Sequence, residues 1–152
     1  PNSAFAGHNH FYGGTMNKLA RRLTVVFSAG CFGGLVNSLI LCFLGAYGVT
    51  ADLGIKLAPD LTAEWLYSRL VWGGLWGFLF ALPFPRGSDL LRGLLFSLGQ
   101  SVIQLLVVFP HISHKGLLGL RLGLLTPVLV LFLNALWGIC TMLWLKFINE
   151  KA

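Results

Sequence analysis

The sequence predicts an all-α integral membrane protein: four transmembrane helices in a compact bundle, with both termini on the cytoplasmic side. Three observations carry that expectation. The chain has 152 residues, 56% of them hydrophobic and 11% charged, whereas water-soluble domains carry about 25% charged residues. Four apolar runs approach the ~20 residues that a helix needs to cross a bilayer. Glycines and amides recur inside those runs at helical spacing, so each run has one small or polar face.

Residues 1–15 are polar, rich in glycine and lack a starting methionine. They are expected to form a tail, either added to the native chain or left as the mature end of a longer one, and held by a partner subunit. Residues 16–152 are expected to form a single membrane domain. Met16 is followed by a basic stretch with Lys18, Arg21 and Arg22, and then by the first span, about 23–44. That run exceeds the 7–15 apolar residues of a cleaved signal sequence. At its centre, Ser28–Leu39 carries Gly30, Gly33, Gly34, Asn37 and Ser38. In a bilayer such glycines let helix backbones approach closely.

The following loop holds Asp52, Lys56, Asp60 and Glu64, with a turn at Pro59 and Asp60 and a helix cap at Thr62. The second span, about 65–82, ends at Pro83 and Pro85. The third, about 90–109, is expected to stop at Pro110. A loop with His111, His114, Lys115 and Arg121 leads to the fourth span, about 122–145, which Lys146 and Lys151 follow.

Positive charge sets the orientation. Lys18, Arg21, Arg22, Arg86, Arg92, Lys146 and Lys151 fall on the side of the termini, against Lys56, Arg69, Lys115 and Arg121 on the other. All three acids of the first loop share that second side. The same distribution explains the net charge of +6 without nucleic acid, since no aromatic-and-basic recognition element accompanies it. Leu-Trp-Gly recurs at Leu75–Gly77 and Leu136–Gly138, too short a match to argue a duplication.

The small and polar faces should turn toward one another. Gly30, Gly33, Gly34, Gly73, Gly77 and Gly138 are the expected packing positions. Amides in hydrocarbon seek partners, so Arg69, Asn37, Gln104, Gln100 and Asn134 are expected to gather as a polar cluster or ligand path. Counting a rise of roughly 1.5 Å per residue from the expected span ends puts Arg69 about 6 Å deep, Gln104 about 8 Å, Asn37 about 10 Å, Gln100 about 14 Å and Asn134 about 18 Å. Arg69 either snorkels over Trp65 or Trp72 or faces inward to meet an anion.

No catalytic constellation is visible. No acid lies well inside a span, where proton-coupled transporters often use one. Gly-Lys-Ser loops, nucleophile elbows and HExxH are absent. Cys31 and Cys42 are eleven residues apart on one helix, roughly 16 Å, and cannot bond to each other. His8 and His10 lie across the membrane from His111 and His114, so no metal site is expected, and no cofactor other than a haem or pigment brought by a partner complex. The leading expectation is therefore a non-enzymatic accessory or structural subunit of a larger assembly in a bacterial inner membrane. Its partners would be the bilayer and other membrane subunits or further copies of itself. The alternatives are an oligomeric transporter or channel for a small solute or anion, and a protein that binds or modifies lipid at headgroup depth.

Overall fold

The computed structural model describes residues 6–83 and 88–149, with side chains from Asn17 to Pro83 and from Ser88 to Ile148. All its regular elements are helical. Helix α1 runs from Ala6 to Ala46, α2 from Val49 to Asp52, α3 from Ala63 to Gly77, α4 from Asp89 to Ile103 and α5 from Thr126 to Asn149. Expectations placed on residues 1–5, Pro85, Arg86 and Lys151, and on the His8 and His10 side chains, lie outside the described residues. From Ala6 onward, the expected tail is the start of α1.

Three helical stretches are long and apolar enough to cross a membrane: Asn17–Ala46, Asp89–Ile112 and Thr126–Ile148. The second expected span has a different form. Thr62 caps α3 as expected, accepting the Trp65 N–H at 3.3 Å. The α-helix then stops at Gly77 and tightens into a 3-10 turn over Phe78–Ala81. Leu82 is extended, with φ −73° and ψ 140°, the conformation that a following proline imposes.

Two expected ends move. The helix does not stop at Pro110: α4 continues as a π-helix through Gln104–Ile112. A proline cannot donate to the ladder, and its ring crowds the carbonyl of an ordinary α-turn. The wider π-turn takes it in, and Ser113 N–H reaches back to Val108 O at 2.8 Å. The fourth helix starts at Thr126 rather than near 122. Leu122–Leu125 belong instead to a cap of loops, where Lys56 N–H bonds Leu122 O at 2.6 Å and Gly123 lies against Gly54.

Close backbone approach sets the packing. An added Cβ at Gly30 would lie 2.8 Å from Gly77 Cα, and one at Gly73 would lie 3.1 Å from Gly34 Cα. A Cβ at Gly33 would meet Trp137 O at 2.7 Å, and one at Gly93 would meet Gly138 O at 2.7 Å. The order of these contacts makes α1 antiparallel to both α3 and α5, and α4 antiparallel to α5. The long helices α1 and α5 hold the middle; α3 and α4 flank them. At the termini end, where α1 starts and α5 stops, the 3-10 turn after α3 meets α4: Phe80 meets Phe96 edge-on at 4.9 Å, and Arg92 Nη2 donates to Phe80 O (3.3 Å) and Leu82 O (2.9 Å). Toward the loop end α3 and α4 part. Trp137, Ala29, Val26, Phe80, Met142 and Leu145 fill the core at the termini end, and Leu41, Ile55, Leu129 and Leu133 fill it under the loops.

Candidate functional site: an arginine and amide cleft between α3 and α4

The polar side chains between those two cores form one chain of hydrogen bonds across the bundle. On α3, Trp65 and Arg69 are one turn apart, and the guanidinium lies 5.0 Å from the Trp65 ring centre. Arg69 Nε donates to Ser38 Oγ at 3.0 Å and Nη2 to Asn37 Oδ1 at 2.8 Å. Ser38 passes its own proton to Gly34 O at 2.7 Å. Asn37 Nδ2 donates to Leu133 O at 2.8 Å and to Asn134 Oδ1 at 3.4 Å. Asn134 Nδ2 completes the line with Ser101 Oγ (3.0 Å) and Gln104 Oε1 (3.1 Å). Asn37, Asn134 and Ser101 are buried. Apart from the Ser38–Gly34 bond within α1, each link joins different helices, so the line ties α3, α1, α5 and α4 together.

The expected polar residues thus share one region of the bundle. Arg69, Asn37, Asn134 and Gln104 are directly linked. Gln100 lies one turn further toward the termini end, only 5% exposed, and its Oε1 has no hydrogen-bond partner. The six expected packing glycines all lie at helix crossings.

On one side of the line, a cleft of about 380 Å³ opens between α3 and α4. Arg69, Gln100, Gln104 and Asn134 supply polar wall; Trp72, Phe109 and Ile112 supply apolar wall. Exposed Trp72, Ser68 and Ile112 mark its mouth. On the other side, a chamber of about 80 Å³ sits under Leu57, Pro59 and Trp65. That is room for about two or three water molecules at ~30 Å³ each.

Sequence reasoning missed part of this wall. Phe109 and Ile112 were expected at or past a helix end, and only the π-segment carries them onto the cleft. Trp137 is fully buried, and its Nε1 donates to Gly30 O at 3.0 Å. Its spacing of three from Asn134 was the available signal.

The cleft presents a cation and hydrogen-bonding amides to whatever enters it. A cation in hydrocarbon is costly unless paired, and among the described residues no carboxylate bonds Arg69. Among the described residues, the cleft lining carries no carboxylate, imidazole or thiol; Ser68 and Ser113 supply hydroxyls. His111 stands exposed in the last turn of the π-helix and His114 on the loop after it, Cys31, Cys42 and Cys140 are free thiols, and no metal-binding group of three assembles among the described residues. Comparison with the profiles of known protein families, with curated proteins and with solved structures finds no match.

Proposed function

We propose that this chain is a non-enzymatic, four-span membrane protein that binds an anionic amphiphile in the α3–α4 cleft. The phosphate or carboxylate headgroup meets Arg69, and the chains lie against Trp72, Phe109 and Ile112. The observation that carries the reading is a cation without a carboxylate partner at the rim of an apolar-walled cleft. An opening between two helices suits a molecule that arrives from within the bilayer. In this reading α3 and its 3-10 turn are the fourth span: fifteen α-residues and four 3-10 residues rise about 30 Å, the thickness of the hydrocarbon core. The termini face the cytoplasm of a bacterial inner membrane, as the positive flanks favour.

The other expectations have less to rest on. The small-residue faces that argued for an accessory subunit are occupied inside the chain by its own glycines. A solute path would have to pass beyond the amides, where Ala29, Trp137 and Thr141 are fully buried.

The test uses nanodiscs of zwitterionic lipid titrated with a brominated anionic phospholipid, which quenches tryptophan on contact. Trp65 and Trp72 flank Arg69, so saturable quenching above that of a brominated zwitterionic lipid is expected. Arg69→Gln should weaken it about tenfold or more, because a hydrogen bond to a charged group contributes ~1.5–3 kcal/mol. Equal quenching by both lipids, or an unaffected Arg69→Gln variant, refutes the reading. Stoichiometric purification with a second protein whose helix fills the cleft would restore the accessory-subunit reading.

A further inference from the structure

We infer that the termini end of the bundle holds a second site, distinct from the α3–α4 cleft, that binds a phosphate ester anion. A cavity of about 740 Å³ opens there, lined by α1, α4 and α5 and by the 3-10 turn. It shares no lining residue with the α3–α4 cleft. Lys18, Arg21, Arg22, Val25 and Val26 fall at helical spacing on one face of α1 and all line it. The same face therefore passes from cationic to apolar as it enters the bundle. Arg92 of α4 and Lys146 of α5 add positive charge, against Asp89 as the one acid among the described lining residues. Phe80, Met142 and Leu145 extend the apolar floor.

The positive flanks of membrane helices account for cations at this level of a bilayer. They do not account for a half-buried arginine drawn between helices. Arg92 is fixed there by Phe80 O and Leu82 O, both on Nη2. Its Nε is buried and has no partner. A guanidinium in the lining, with three further cations of α1 in the same cavity wall, matches the oxygen-rich and multiply charged face of a phosphate. The apolar floor gives that phosphate an attached acyl chain to lie against. Basic pockets between helices at the cytoplasmic surface hold phospholipid headgroups by this chemistry. A free phosphate would use the same cations without the floor.

The test is native mass spectrometry of the full chain in mild detergent, carried out in an Arg69→Gln background so that binding in the α3–α4 cleft is weakened. An anionic phospholipid should be retained at least tenfold more tightly than a zwitterionic one of the same chains. Arg21→Gln with Arg22→Gln should reduce retention at least fivefold, and Arg92→Gln at least tenfold. Arg92→Gln also releases Phe80 O and Leu82 O and can unfold the chain; the two exposed α1 arginines carry no such role and keep the test decisive. Displacement of the lipid by millimolar inorganic phosphate, with the same dependence on the arginines, would support the site and identify free phosphate as a ligand. Retention that ignores headgroup charge, or that survives neutralisation of Lys18, Arg21, Arg22 and Arg92 together, overturns the inference.

Discussion

Replacing Gly30 by alanine tests the packing most directly. The added methyl would fall 2.8 Å from Gly77 Cα and closer still to Gly73 O. Carbon atoms settle at about 3.5–4.0 Å, so the α1 and α3 backbones must part by roughly 0.7–1.2 Å. Both obstacles are backbone, and neither can rotate away. Overpacking costs about 1–3 kcal/mol, and its upper end applies where backbone must move. Alanine recovers ~1 kcal/mol of helix propensity over glycine, which leaves a net loss of about 2 kcal/mol. Gly99→Ala is the matched control, because the nearest atom to its new methyl is Trp76 Cζ3 at 4.0 Å. There only the propensity remains, a gain of about 0.5–1 kcal/mol. Reversible unfolding in mixed micelles with rising SDS, followed by circular dichroism, reads both. A Gly30→Ala variant as stable as the wild type would refute the close-approach account, as would a Gly99→Ala variant that loses more than Gly30→Ala.

Other outcomes follow from single contacts. Asn134→Leu should destabilise by about 1–3 kcal/mol, since it takes the Asn134 donor from buried Ser101 and from Gln104 and leaves Asn37 Nδ2 with Leu133 O alone; the same micelle titration measures it. Thr126→Val should be neutral or stabilising by up to ~1 kcal/mol, because the fully buried Thr126 Oγ1 has no partner to lose; a loss above that would show an unrecognised hydrogen bond. Trp137→Phe removes the bond to Gly30 O and should cost about 1–2 kcal/mol, with loss of the most water-shielded tryptophan emission. For the proposed orientation, cysteines at Asn17 and Ser113 in a cysteine-free chain should react with an impermeant maleimide from opposite faces of sealed vesicles; labelling from one face would rule out the fourth span.

Most of the candidate site was legible because its parts obey helical spacing. Gly30, Gly33, Gly34 and Asn37 share a face whatever they touch, and an amide in hydrocarbon must find a partner. Depth was legible only as well as the helix ends were. Asn134 counted about 18 Å deep from residue 122, yet it bonds Asn37 and Gln104 directly. Counting from Thr126 brings it to roughly 12 Å, and Asn37, counted from Ala46, to roughly 14 Å. The four residues Leu122–Leu125 are as apolar as a span but belong to the loop cap, because Gly119 and Gly123 hold positive φ there. Composition cannot separate those two fates. Nor could it foresee that Pro110 would sit inside a π-helix, since that depends on how Ser113 and Lys115 reach back to Val108 and Phe109. The apolar wall of the cleft was hidden for that reason.

The Arg92 clamp has a mechanical consequence. It pins the 3-10 turn to α4 at one end, while the seam between α1 and α3 is glycine on glycine, with few side chains to interlock. A displacement of α3 would therefore pivot on that foot and would have to break the Arg69 bonds to Ser38 and Asn37, and the distance between Arg69 and Gln104 is its natural coordinate. Among the proposed spans α3 has the least length to spare, so a thicker bilayer has to pull it upright or thin around it. In the proposed four-span arrangement, membrane thickness would thereby act first on the helix that carries the arginine, and the aperture of the cleft would be a property of the surrounding lipid as much as of the chain.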